Sequence, residues 1–582
     1  MSPAGRSRGS RQSRRKQSRG SGLKGLLLGL LIAFLLVIAL WNVIGRKLLD
    51  PYIPSRDRME ASAYFGTEEG QVCLFLDDER LEGVTGIFEN GGIYLPYSWV
   101  RRELSTDFYY SAPEKLLSHA SPSEIRDFRE KDRMSGKPAF LLKDEPYLLL
   151  ELVEKYTDVN SRSFTADPAA CRLYLMRGGR TVETTNTVRK AALRQKGGNK
   201  APILTDLKEG EQVVVLEVLE RWSRLRTSDG FIGYAENRVL SEARSSYTYP
   251  HGYRRKAADF KGLKKEKLMM GWHLTTSSFS NAYMEQFYEN TGGRINAISP
   301  TWIQLSDAEG NYLNLCDGEY VKKAHALGMQ VYACVDNFNQ PGGLKEFDTG
   351  DFFESAEKRR GLIERLMKEA GVYGLDGFNL DFEGLSSSDG AAYGQFFKEL
   401  AVACHEKDLA LSIDDPVPFN YNTHYQMADQ ADYADYVIVM CYDEHTAGTD
   451  VGSVASLSYT DYAIEESLKS VPKERLVAAL PFYTRIWTLK GSGKGTEVLG
   501  IKEARKKIQE YGITLNWDEV CAQYYGEANT SEGLKKVWME EERSLTEKMK
   551  LVRAADLCGA ALWRLNYEPP EVWPIVDMNA KE

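Results

Sequence analysis

A recurring pattern across residues 260–582 constrains the fold of this chain more than any other feature. Eight short apolar runs occur there: 268–273, 297–302, 331–335, 377–382, 409–413, 436–442, 476–483 and 560–565. Each has the length of a buried strand, and helical periodicity lies between many of them. In 391–408, Tyr393, Phe396, Phe397 and Leu400 fall at i, i+3, i+4 and i+7, and 355–371 reads as a second helix. Eight such units predict an α/β fold, a closed (β/α)8 barrel. An open doubly wound sheet is the rival. It would normally carry a glycine-rich phosphate turn after an early strand, and none is visible.

The fourth run reads Leu375-Asp376-Gly377-Phe378-Asn379-Leu380-Asp381-Phe382-Glu383. Side chains alternate faces along a strand, so Phe378, Leu380 and Phe382 point outward under the helices. Gly377, Asn379, Asp381 and Glu383 then face the barrel interior. Polar groups there are costly unless hydrogen-bonded. Glu383 falls at the C-terminal end of the strand, where barrel active sites lie. A second carboxylate two residues below raises the pKa of its neighbour, which suits one of them to donate a proton.

These residues resemble the DxxDxDxE signature of glycoside hydrolase family 18, the chitinase family, with Asn379 in the second Asp position. Met440-Cys441-Tyr442-Asp443 is similar to the family's sixth-strand MxYD. Leu480 to Arg485 (LPFYTR) resembles its seventh-strand LPFYGR, and Trp563 its eighth-strand tryptophan. The stretches ISPTWIQL, VWMEEERSL and GAALWRLNYE resemble the bacterial spore-cortex and cell-wall subgroup. The resemblance implies a substrate-assisted hydrolysis in which the sugar's 2-acetamido oxygen attacks the anomeric carbon. It casts Glu383 as the acid that protonates the leaving oxygen and later activates water. Asp381 orients the acetamido N–H, Tyr442 hydrogen-bonds the acetamido oxygen, and Asp443 contacts the sugar. Trp563 forms the apolar floor. Tyr483 and Arg485 are further substrate-binding candidates, with Asp376 and Asn379 in support. Asn379 cannot ionise and can only donate and accept hydrogen bonds. Asn337, Asp414 and Asp415 follow the ends of strands three and five and read as loop turns rather than cleft lining. Between strands seven and eight, about Lys490 to Glu542, a long segment is expected either to wall the cleft or to pack as an ordinary subdomain.

Upstream, Gly25 to Ile44 carries no charge. At about 1.5 Å per residue it matches the ~30 Å hydrocarbon core of a bilayer. Trp41, Asn42, Arg46 and Lys47 end the run in place of a small-residue cleavage site, so an uncleaved transmembrane helix over 25–45 is expected rather than a signal peptide. Residues 1–24 hold eight Lys and Arg and no acid. That asymmetry puts the basic arm in the cytoplasm and the rest outside. The whole chain has a net charge of −9, so the body beyond the arm is more acidic still. Nucleic acid is excluded as a partner, because phosphate contacts need clustered Lys and Arg.

Residues 60–180 alternate short apolar runs with charged turns. GGIYLPYSWVRREL and EPYLLLELVEKY resemble the small α+β domain at the N-terminus of bacterial copper amine oxidases, and a plain spacer fits equally. His119 is its one histidine, so no copper chemistry follows. Residues 181–242 show short, evenly spaced strands with Asp229-Gly230 as a hairpin signal. Leu207, Gly210, Val213, Trp222, Arg226, Asp229, Gly230, Gly233 and Tyr234 carry a resemblance to bacterial SH3 domains. Trp222 and Tyr234 are either binding aromatics or packing residues. The eight cysteines include no CxxC and no zinc-type quartet, and read as small core residues. No metal or organic cofactor is implied.

Together these readings predict a membrane-anchored extracellular hydrolase of β-1,4-linked N-acetylglucosamine-containing glycan, with peptidoglycan favoured over chitin. The alternative is a lectin-like wall protein on the same barrel.

Overall fold

The computed structural model describes residues 20–42 (side chains from residue 25), 53–262, 266–338 and 349–580. The chain divides into two compact units. One comprises residues 1–93 with 158–252, and the other 94–157 with 253–582.

The larger unit is built on eight parallel strands: β1 (Leu268–His273), β2 (Ala297–Pro300), β3 (Gln330–Asp336), β4 (Gly377–Asp381), β5 (Ala410–Pro416), β6 (Tyr436–Met440), β7 (Leu476–Pro481) and β8 (Gly559–Trp563). Each pairs with the next, and β8 returns to β1, so the sheet closes. All eight expected strands are present within a few residues of their predicted ends. The predicted alternation also holds. Phe378, Leu380 and Phe382 are buried among the outer helices. Inside the barrel, Leu268, Met270, Trp272, Tyr332, Tyr436 and Ile438 pack with Ala479 and Ala561. Gly377 is needed because a Cβ there would meet the Ala410 carbonyl oxygen at 2.3 Å.

The helices obey local rules. Ala356–Tyr373 starts at Ser355, whose hydroxyl accepts from the Lys358 N–H, satisfying one of the orphan donors of the first turn. It stops at Gly374, which has φ 74°, a conformation glycine adopts without steric cost.

The segment between β7 and β8 is a subdomain of its own. Five antiparallel strands, from Tyr483–Lys490 to Gly533–Met539, enclose helix Ile501–Glu510 in sequence. Its exit is fixed by a buried pair, Glu540 with Lys548 at 2.9 Å.

Residues 60–180, expected as one small α+β domain, are shared between the two units. The physical reason is polar. The three-stranded sheet Phe108–Ser111, Leu116–Ser121, Glu124–Arg129 sits on the barrel's helices. Lys398 donates to Asp107 at 3.1 Å and to Asp429 at 2.8 Å. Arg360 grips Asp127 at 2.6 Å, and Tyr433 donates to Asp107 at 3.0 Å.

In the smaller unit, seven strands from Thr181–Asn186 to Ser245–Thr248 form one antiparallel sheet. Strands Gln212–Val218 and Trp222–Arg226 stand where the sequence put them. The Asp229-Gly230 turn joins Trp222–Arg226 to Ile232–Glu236. Phe65, Phe75, Tyr174, Leu193, Leu225 and Phe231 share one core. Trp222 and Tyr234 are half-buried beside Gly197, where a Cβ would meet them at 3.4 Å and 3.6 Å.

A helix runs over Gly20–Leu40, and its leucines from Leu26 onward are exposed. Among the described residues no helix is long and apolar enough to cross a membrane. The transmembrane expectation is therefore not supported by the described helices. Residues 43–45 of the expected span and residues 1–19 of the basic arm lie outside what the structure describes.

Candidate active site

The C-terminal ends of β4, β5 and β6 converge on one cleft of about 360 Å³, with Glu383, Tyr442, Asp443, Met440, Phe419 and Tyr425 in its walls. Asn379 is the hub beneath it. Its carbonyl oxygen accepts from Trp272 Nε1 at 2.8 Å and Ser299 Oγ at 3.0 Å. Its amide donates to Ser412 Oγ at 3.0 Å and Asp414 Oδ1 at 2.8 Å. All four capacities of this buried amide are used, so it has no spare donor for substrate. Asn379 is a positioning residue.

One layer higher, Asp381 is buried and its Oδ1 has no hydrogen-bond partner among the described residues. Burial, then the charges of Asp414, Glu383 and Asp336, push its carboxyl well above the usual range. Glu383 stands at the rim. The residue itself is reached by solvent, yet protein packed around its carboxyl, with Asp443 and Asp336 nearby, pushes it up to about 7. That value leaves a substantial protonated fraction at neutral pH, the condition for a general acid. Its backbone is clamped by Asn337. The Glu383 N–H donates to Asn337 Oδ1 at 2.9 Å, and Asn337 Nδ2 donates to the Glu383 carbonyl at 3.0 Å.

The opposite wall comes from β6 and the strand after β7. Asp443 has φ 57°, a left-handed conformation Asp tolerates better than most residues. One of its oxygens accepts from both Tyr483, at 2.7 Å, and Arg485, at 2.9 Å. Tyr442 and Trp563 pack together with Tyr483 above the barrel interior, and Trp563 meets Trp272 edge-on at 5.8 Å.

Eight of the nine expected site residues are thus assembled, and Asp376 is not. It precedes β4 at the opposite end of the barrel, where it accepts from the Val331 N–H and pairs with His325, both at 2.8 Å. Five residues at about 3.3 Å each separate it from Asp381, so its role is to tie strands, not to meet substrate. Asn337 and Asp414 move the other way. Read as loop turns, they are buried in the site wall. Asp415 faces Gln430 outside the barrel. Asp336 was missed altogether, although it ends an apolar strand at the catalytic face. The aromatic wall of Phe419, Tyr421 and Tyr462, stacked at 5.3 Å and 5.1 Å, was also missed. The PVPFNY stretch after strand five was its signal.

The family description "Glycosyl hydrolases family 18" matches residues 342–568, and "Bacterial SH3 domain" matches 189–241. The glycoside hydrolase match covers the barrel from before β4 to just past β8. Identity is 24% over 275 residues with the uncharacterized glycosylase YvbX of Bacillus subtilis, spanning 45% of this chain and 77% of that one. It is 23% over 224 residues with the cortical fragment-lytic enzyme of the same species, spanning 37% and 52%. The chain thus spans about half the length of that second relative. The crystal structure of the Bacillus cereus spore cortex-lytic enzyme SleL aligns with 15% identity over 58% of this chain and 77% of that one, at a TM-score of 0.49. The protein is a glycoside hydrolase.

Proposed function

We propose that this protein hydrolyses β-1,4-linked N-acetylglucosamine-containing glycan, peptidoglycan in preference to chitin, outside the cell, with the helix at Gly20–Leu40 as part of a membrane anchor. The observation that carries the catalytic reading is Glu383: a cleft-facing carboxyl pushed up to about 7, directly above a buried acid. In this reading Glu383 gives its proton to the leaving glycosidic oxygen. The substrate's acetamido oxygen closes on the anomeric carbon, with retention. Asp381 accepts the acetamido N–H, and the Tyr442 hydroxyl donates to the acetamido oxygen. Asp443, with one oxygen held by Tyr483 and Arg485, offers the other to a sugar hydroxyl. Trp563 supports the sugar's CH face. Glu383, now ionised, then draws a proton from the water that opens the intermediate.

The preference for wall glycan rests on the SH3 domain and on the cortex-lytic relatives. The anchor rests on the charge asymmetry around residues 25–44 and on the exposed leucines of the helix. The role of the SH3 domain is weak sacculus binding.

The test is digestion of purified sacculi and of chitooligosaccharides by the full chain, with the new reducing ends identified by mass spectrometry. Faster release from sacculi is expected. A protein that binds both tightly and releases neither is a lectin. Recovery of the chain in the soluble fraction, resistant to protease added outside cells, would sink the anchored topology.

A further inference from the structure

The barrel interior contains two buried carboxylate oxygens without a hydrogen-bond partner among the described residues, Asp381 Oδ1 and Asp414 Oδ2. They belong to adjacent parallel strands. The register pairs Asn379 with Ser412 and Leu380 with Ile413. Continued by one residue, it sets Asp381 level with Asp414, and residues at one level of neighbouring strands share a face. The other oxygen of Asp414 is fixed by the Asn379 amide at 2.8 Å. Asn379 is itself immobilised by Trp272, Ser299 and Ser412. Two acids held side by side away from water cannot both be ionised, because the charges repel and neither is solvated.

We infer that Asp381 and Asp414 share a single proton across the β4–β5 gap, which makes Asp414 a positioning residue for the reaction proposed above. The inference rests on that reading for its catalytic consequence. In the resting protein the proton lies between Asp381 Oδ1 and Asp414 Oδ2. When an acetamido N–H reaches Asp381, the proton stays with Asp414 and Asp381 carries the charge. No proton enters or leaves the pair. The carboxylate that the DxxDxDxE pattern places at position 379 is supplied here from the neighbouring strand, through an amide that holds it in place.

The groups around the pair are Glu383 on β4, Asp336 and Cys334 on β3, Tyr442 after β6 and Tyr425, with Asp415 and Tyr393 behind β5 on its outer face. None of these seven is a cation, so a shared proton is the remaining way to limit charge. Burial and these neighbours push both acids upward, and the Asn379 hydrogen bond opposes this at Asp414.

The experiment compares the full-length wild type with Asp414→Asn and with the exchange Asn379→Asp/Asp414→Asn. An asparagine at 414 still accepts from the Asn379 amide, so the first variant removes the ionisable group and keeps the bond. Its kcat on sacculi or chitooligosaccharides is expected to fall about 10- to 100-fold with KM little changed, and its pH profile to shift. The exchange returns a carboxyl to the same hydrogen bond from the other side, and most of the lost kcat is expected to return. Infrared difference spectra at neutral pH report the proton itself. Beyond the bands that Glu383 and Asp415 give in all three proteins, one further protonated-carboxyl C=O band is expected in the wild type, lost in Asp414→Asn and restored in the exchange. If the wild type is inactive on every glycan, the hydrolase reading of this cleft fails while the infrared band still decides the pair. An unchanged band in Asp414→Asn overturns the inference, as does an exchange no more active than the single variant.

Discussion

Two sets of buried acids in the larger unit stand in opposite company. Where the 94–157 segment meets the barrel's helices, Asp107 is held by Lys398 at 3.1 Å and Arg255 at 2.8 Å. Nearby, Glu399 is held by Arg359 at 3.0 Å. At the catalytic end, Asp381 and Asp414 stand side by side with Glu383 above them. The first set is neutralised, and charges buried in this way hold surfaces in register. The second set is left uncompensated, which costs stability but moves proton affinities toward neutrality, where acid catalysis operates. Burial alone therefore does not mark a functional acid here. Burial without a counter-ion does.

The sharpest way to break this contrast is Glu383→Gln. The amide keeps the shape and the Asn337 clamp on its backbone but has no proton to give. Turnover should fall by roughly 10²–10⁴-fold, with oligosaccharide binding retained by calorimetry. In the wild type, kcat/KM should decline as pH rises through about 7, where the acid loses its proton. A profile flat from acid to alkaline pH would show that Glu383 is not the acid.

The neutralised set predicts the reverse pattern, in stability rather than activity. Lys398→Met keeps the apolar stem and strands Asp107 and Asp429. Breaking a buried pair on one side costs about 3–5 kcal/mol, and the lower end is expected because Arg255 remains on Asp107. Urea unfolding measures it, and the folded fraction should keep its kcat. A large loss of kcat without loss of stability would dissolve the distinction between the two sets.

Asp415 lies between the extremes. It is buried beside Gln430, and burial pushes it up to about 8, against the Gln430 hydrogen bond. The unfolded chain releases this proton near ~4. The folded state then holds more protons between those values, so the contribution to stability is complete below about 4 and is lost as pH rises through about 8. Asp415→Asn cannot ionise. Its unfolding midpoint should fall less than the wild type's between pH of about 5 and 8. Parallel curves for the two proteins would show that Asp415 is ionised in the fold.

Much of this contrast could be read from sequence, and the part that could not has a single cause. The strands of the barrel and the inward row of β4 follow from period-two alternation, a local property. Glu383 and Asp381 follow from their place at a strand's C-terminal end. Asp414 was passed over because its partner Asn379 lies 35 positions away in sequence, and the register between β4 and β5 exists only once both strands are paired. Asn337 was passed over for the same reason, since its clamp on Glu383 spans 46 positions. Asp376 was overvalued because the motif contains it, while its position before β4 puts it at the wrong end of the barrel. The seat of 94–157 depends on Lys398 and Asp429, which in sequence look like ordinary surface charges.

The smallest effect expected belongs to the rim of that seat, and it tests whether geometry alone makes an ion pair matter. Arg360 contacts Asp127 through two nitrogens, at 2.6 Å and 2.9 Å, a better geometry than Lys398 has with Asp107. Yet both partners are 36% exposed. Water and salt screen such a pair, and exposed pairs contribute about 0–1 kcal/mol. Asp127→Ala should therefore shift the urea midpoint slightly, and less in high salt. Arg360 retains Glu399 at 3.1 Å, so its charge is not stranded by the change. If Asp127→Ala costs as much as Lys398→Met, exposure is not what separates the rim from the centre, and the whole three-stranded sheet docks as one cooperative surface.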